Sequence, residues 1–257
     1  MSYLDAVILG ILQGLTEFLP VSSSGHLVLA QELLHVSDSG VTFEVMVHLG
    51  TLLSVLVYFR KKLTRLILSL FNAGMKTERL IIFYLIIGTV PAGLVGYFLE
   101  DFFERAFSNP LMTSVMLMVT GGILLLTRFV KEGRQNLNLH AAVMMGLGQA
   151  LAIFPGISRS GATIAFGMYS RVKPSEAAEF SFLLAIPAIG GAAVLKFKDL
   201  LMLEPGKLGP YLVGAFCAFV LGLVAVYGVL AVVKKGKFEY FGYYCFAIGL
   251  LGLYLFR

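Results

Sequence analysis

LTEFLPVSSSGHL at residues 15–27 and FPGISRSGATI at residues 154–164 decide how this chain folds. Each interrupts an apolar segment, 4–35 in one case and 140–170 in the other, with Pro, Gly and a cluster of Ser. Pro20 limits the helix before it, and Gly25 permits a tight backbone. The expected shape is a helix that runs into a membrane, breaks, and returns as a second helix. Broken backbone is tolerated at membrane depth only where protein or a wet cavity surrounds it. Gln13 to Gly25 covers twelve positions, as does Gln149 to Gly161. After eighteen or nineteen more residues each is followed by a Glu, Glu44 or Glu179, at the start of an apolar run.

The remaining sequence explains why a membrane is invoked. Of the 257 residues, 58% are hydrophobic and only 14% are charged. A soluble domain runs at about 45–50% apolar and about 25% charged. With a mean hydropathy of +0.87, the chain has too little polar surface for a water-soluble enzyme. The net charge of +5 comes from 20 Lys+Arg against 15 Asp+Glu. Those cations fall in short clusters between apolar runs, so they read as topology determinants, and no nucleic-acid partner is expected. Cys217 and Cys245 lie in apolar runs and read as small buried hydrophobes, without a CxxC pair. The N-terminus opens with Asp5, lacks a basic region, and carries Gln13 and Glu17 inside its apolar stretch, so it does not read as a signal peptide.

Six full spans are expected, at 42–59, 80–99, 110–128, 175–195, 210–233 and 239–256. Each is near the roughly 20 residues that cross a hydrocarbon core of about 30 Å. Six basic residues and one acid lie between 60 and 79, while Glu100, Asp101 and Glu104 face one base in the next connection. Positive-inside counting puts 60–79, 128–140 and 234–239 in the cytoplasm, and 100–109 and both termini outside. The connection at 196–209, with Lys196, Lys198 and Lys207, argues mildly against this. The two broken segments then enter from opposite sides, each followed by three spans, as in an inverted repeat. The expected fold is an all-α polytopic membrane protein. It forms one integral membrane domain, with repeats at 1–130 and 138–257 and two re-entrant helix pairs.

Chemistry gathers at the breaks. Glu17 in LTEFLP is expensive facing lipid, so it faces protein, water or a metal. Gln13 is on the same helical face. Glu17 reads as a general base or hard-cation ligand, or else as a packing hydrogen bond. Ser22, Ser23 and Ser24, with Gly25, form a turn that can present N–H groups and hydroxyls to an anion, or simply cap the next helix. His26 could polarise a serine, protonate a leaving oxygen or hold a phosphate. As a lone His it is more often structural. Arg159, between Ser158 and Ser160 and close to Gly161 and Thr163, is always charged and offers a donor fork suited to phosphate. Glu17 or a bound anion must neutralise it. Glu44, His48 and Glu179 could shape a cavity or its mouth, or serve the core.

A carboxylate, hydroxyls, an imidazole and a fixed cation suit phosphoryl transfer to water. Ser23 could attack phosphorus while Glu17 or His26 takes its proton. In the other version the serines bind and Glu17 activates water. Arg159, helix N-termini and a divalent cation would stabilise the phosphoryl oxygens. The competing class is a transporter or flippase of a phosphorylated lipid, since carriers also use broken helices and anion clamps. A structural subunit leaves Glu17 and Arg159 unexplained. A long lipid tail could enter sideways between spans, where small residues at 190–195 and Gly88 permit close helix approach.

The two break motifs, with AEFSFLLAIP at 178–187, resemble the bacterial undecaprenyl-diphosphatase family, also called bacitracin-resistance proteins. The resemblance runs over essentially the whole chain. It implies removal of the terminal phosphate of undecaprenyl diphosphate, recycling the cell-wall lipid carrier at the outer face of the bacterial plasma membrane. It also implies dependence on Mg2+ or Ca2+, two re-entrant helix pairs, and membrane lipids as neighbours. A homo-oligomer is compatible with it. The family's functional positions fall on Glu17, Ser23, His26 and Arg159. Around them Gln13, Ser22, Ser24, Gly25, Ser158, Ser160, Gly161 and Thr163 are expected to bind substrate, with Glu17 and Gln13 toward the metal. The family often has a glutamate where this chain has Gln13. An amide oxygen can still coordinate a cation, so the acid–base load is placed on Glu17.

Overall fold

A computed structural model describes residues 1–36, 40–99, 109–130, 133, 135–197, 202, 205–234 and 236–257. Among these the chain is all-α. Its helices are α1 (Tyr3–Thr16), α2 (Ser23–Leu33), α3 (Gly40–Tyr58), α4 (Arg60–Ser69), α5 (Lys76–Phe98), α6 (Pro110–Leu126), α7 (Leu139–Leu151), α8 (Arg159–Tyr169), α9 (Pro174–Leu195), α10 (Pro205–Lys234) and α11 (Tyr240–Leu255). Local chemistry marks the starts. Ser2 and Asp5 form a capping box on α1. Asn109 caps α6 ahead of Pro110, and Asn138 caps α7.

Four helices are long and apolar enough to cross a membrane: Lys76–Phe98, Pro110–Phe129, Pro174–Leu195 and Gly206–Val233. They match the expected spans at 80–99, 110–128, 175–195 and 210–233. The expected span at 42–59 ends in a bend of 76° into the basic helix α4, and the pair makes a fifth crossing only if counted as one. The expected span at 239–256 is α11, with 16 residues. At 1.5 Å per residue it is about 24 Å long, short of a hydrocarbon core of about 30 Å. The chain is therefore multi-pass, with four long apolar helices, or up to five with the bent pair; of the six expected spans, 239–256 is a shorter apolar helix. Glu100, Asp101, Glu104, Lys131, Arg134, Lys198 and Lys235, which entered the charge counting, lie outside the described residues.

Helix α1 packs along α10, and α7 packs along α5. Both contacts need glycine: Gly10 lies on the backbone of Gly214, and a Cβ on Gly146 would stand 2.6 Å from the Gly88 carbonyl oxygen. Helix α10 also packs on α3 and α5 on α9, with α3 and α9 in mutual contact, while α6 lies along α11. One large buried cluster includes Phe18, Val55, Phe182, Leu184 and Val226. Large apolar side chains remain exposed on the outer helices, including Phe83, Ile86, Leu94, Phe216 and Leu250, as a lipid-facing surface requires.

Candidate active site

Both breaks are built alike. Ser22 caps α2 by accepting the Gly25 N–H at 3.2 Å, and Ser158 caps α8 by accepting the Gly161 N–H at 3.0 Å. In each break the serine two places on, Ser24 or Ser160, has its hydroxyl 3.3 Å from the capping hydroxyl. The tight backbone is reached differently. Ser22 takes φ 68°, a region a non-Gly residue occupies only when the surroundings hold it there. The second break uses Gly156 at φ 95°, where glycine is at ease. Thr120 on α6 ties that break down, donating to the Gly156 carbonyl at 2.8 Å and accepting from the Ser158 N–H at 3.0 Å. Cys245 on α11 donates to the Pro20 carbonyl at 3.6 Å in the first break. Ser160 joins the two, donating to the Leu19 carbonyl at 2.9 Å.

Residues one place after the caps open the return helices. They are Ser23 on α2 and Arg159 on α8. Both reach Glu17. Ser23 Oγ donates to Glu17 Oε2 at 2.5 Å, and Arg159 Nη2 donates to Glu17 Oε1 at 2.5 Å. Gln13 Nε2 adds a third bond to Oε2 at 3.0 Å. Glu17 keeps only 5% of its side chain exposed and Arg159 15%. A buried carboxylate has only acceptor sites, so it is tenable when donors and a countercharge surround it. His48 supplies a further neighbour, with Nε2 3.5 Å from Glu17 Oε2. Its Nδ1–H donates to the Glu44 carbonyl at 2.7 Å, which fixes the ring toward Glu17. A serine hydroxyl donating to a carboxylate is the geometry of a nucleophile and its base.

Residues 6–251, which include both breaks, match the family described as Bacitracin resistance protein BacA. The chain belongs to that family. Among curated relatives, the undecaprenyl-diphosphatase of Salinibacter ruber is 42% identical, over 99% of this chain and 100% of the relative. That of Syntrophotalea carbinolica is 43% identical over 97% of each. That of Methanobrevibacter smithii is 41% identical over 98% of this chain and 96% of the relative.

In this member of the bacitracin-resistance family the site opens on a cavity of about 1340 Å³. Glu17, Ser22, Ser23, Ser24, Ser158 and Arg159 line it. Several residues expected at the substrate lie behind that wall. Ser160 holds Leu19, and Gly25 and Gly161 feed their N–H groups to the caps. Thr163 bonds the Arg159 carbonyl at 2.7 Å and the Ser181 hydroxyl at 2.6 Å, between α8 and α9. His26 faces α11: its Nδ1–H donates to the Ser22 carbonyl at 2.8 Å, and Nε2 lies 2.9 Å from the Tyr244 hydroxyl. The two rings are parallel. The geometry therefore puts His26 behind the capping turn, where it braces the backbone of Ser22. Gln13, fully buried, contacts Glu17 without lining the cavity.

Glu44 and His48 do line the cavity, whereas Glu179 pairs with Lys62. Gln149 lines it as well, and nothing in residue type marked it beforehand. Its only signal was its place as the counterpart of Gln13. Among the described residues, no group of three or more His, Cys, Asp and Glu is arranged to hold a metal ion.

Proposed function

We propose that this chain hydrolyses undecaprenyl diphosphate to undecaprenyl phosphate and inorganic phosphate, the activity named in its relatives. The single observation that carries the reading is the convergence of Ser23 and Arg159 on the two oxygens of Glu17 at the cavity wall. Ser23 Oγ attacks the terminal phosphorus while Glu17 Oε2 takes its hydrogen. The anhydride P–O bond breaks, and its electron pair leaves on the bridging oxygen of undecaprenyl phosphate. Water then displaces the serine from phosphorus, releasing inorganic phosphate and restoring Ser23. Guanidinium N–H groups of Arg159 stabilise the charge on the phosphoryl oxygens. The 2.5 Å Ser23–Glu17 bond favours this order over direct activation of water by Glu17.

A divalent cation, Mg2+ or Ca2+, fits the donors present. Gln13 Oε1 is buried without a partner, next to the Glu17 carboxylate. Glu17 at the cavity wall would hold such an ion, with Gln13 Oε1 behind it and the other ligands from water and phosphate. Such an ion would neutralise charge on the phosphoryl oxygens.

We read the membrane arrangement as an inverted repeat of 1–130 and 138–257, with α1–α2 and α7–α8 re-entrant and α11 and the bent pair completing the crossings. What supports it is the packing: exchanging the halves turns the α1–α10 contact into α7–α5, and α3–α10 into α9–α5. The positive-inside scheme then turns the catalytic face outward from the plasma membrane, and the small residues of α9 near Gly190 admit the lipid tail.

The test is phosphate release from undecaprenyl diphosphate by purified protein in detergent, with Mg2+ and with chelator. Release that depends on the cation is expected. No release under either condition, with lipid binding lost in Arg159→Ala, would instead favour a carrier.

A further inference from the structure

Gln13 and Gln149 hold the same place in the two breaks, yet their amides differ in what they meet. Gln13 donates to Glu17, four residues on, at 3.0 Å. Four residues after Gln149 stands Ile153, which has no polar group to offer. Gln149 is only 3% exposed, and both its Nε2 and its Oε1 lack any hydrogen-bond partner. Buried polar groups in native proteins are almost always paired, because an unpaired amide bears its full desolvation penalty. The other buried unpaired atoms among the described residues belong to Gln13 and Thr113, neither of which lines the cavity. Gln149 does, as do Ser158 and Arg159.

We infer that Gln149 is a substrate-binding residue, whose amide N–H groups donate to the phosphoryl oxygens of the diphosphate. The inference rests on the phosphatase reading above. Arg159 already directs Nη2 to Glu17 and Nη1 to the Ser181 carbonyl at 3.3 Å, so part of its fork is engaged before an anion arrives. A diphosphate presents more acceptor oxygens than the remainder can meet. A neutral amide supplies donors there without adding a positive charge that would compete with Arg159 for Glu17. Its Oε1 is left to accept from water or from a protonated phosphate oxygen.

Gln149→Leu and Gln149→Met remove the amide while keeping most of the volume. Full-length protein carrying either change is assayed for release from undecaprenyl diphosphate, for inhibition by inorganic phosphate, and for thermal unfolding in the same detergent. A hydrogen bond to a charged group predicts a fall in kcat/KM of about 10- to 100-fold. Most of it should be a rise in KM, with the inhibition constant for phosphate rising in parallel. The unfolding midpoint should hold or rise, since an unpaired buried polar group is gone. Kinetics within about twofold of the parent overturn the inference, and so does loss of folded protein in both variants, which would make the amide structural. A parent that releases no phosphate instead removes the phosphatase reading itself, and the inference falls with it.

Discussion

In the first break Ser22 caps, Ser23 opens the return helix, and Glu17 stands six residues before Ser23. In the second break Ser158 caps in the same way, but Arg159 opens the helix and Ile153 stands where the acid would be. The cap bonds and the hydroxyl pair differ by no more than 0.2 Å between the two (3.2 against 3.0 Å, and 3.3 in both). The comparison teaches that one backbone turn serves two halves of a site. One half brings the acid and the hydroxyl, and the other brings the cation. Glu17 bridges the two, so the proposed reaction draws on both.

The sharpest way to break this division is at its acidic half. Ser23→Ala and Glu17→Gln should each lower phosphate release by about 1000-fold or more, the upper range for a nucleophile and its base. Activity surviving Ser23→Ala but not Glu17→Gln would transfer the attack to water. The cationic half comes next. Arg159→Lys keeps the charge but loses the planar fork, and a fall of about 100-fold in kcat/KM is expected. Third, the ties and caps of the turns should act on stability rather than chemistry. Thr120→Ala strands the Gly156 carbonyl and the Ser158 N–H and should destabilise by about 1–3 kcal/mol. Ser158→Ala is expected to destabilise by about 1 kcal/mol, read as a lower unfolding midpoint, with activity within tenfold. The smallest effect is at the tie of the first break: Cys245→Ala removes only a weak thiol donor, and less than about 1 kcal/mol is expected.

The breaks were legible because Pro, Gly and Ser interrupt apolar runs, which local propensity alone explains. Glu17 and Arg159 were legible because charge inside such runs demands a partner. Span number was less so. Nothing at Phe59 announces the bend into α4, since neither Pro nor Gly stands there, and α11 fills nearly all of its apolar stretch, which is itself short for a span. The direction of His26 was hidden for a different reason: its neighbour Tyr244 lies 218 residues away, and only packing decides which face of α2 meets α11. Thr163 was expected at the substrate, and its hydroxyl instead meets Ser181 on another helix, a pairing set by packing. Gln149 was visible only as a landmark. Its emptiness is a property of surroundings, and no sequence motif records a missing partner.

The bond from Glu17 to Arg159 joins residues 142 positions apart. At about 5–20 residues per second of synthesis, Glu17 exists for about 7 to 28 seconds before its counterion has been made. A newly made N-terminal half thus carries Glu17 with Gln13, Ser23 and His48 beside it but no guanidinium to answer its charge. Release of that half into the bilayer is disfavoured until the second hairpin emerges, which makes insertion order a constraint on biogenesis.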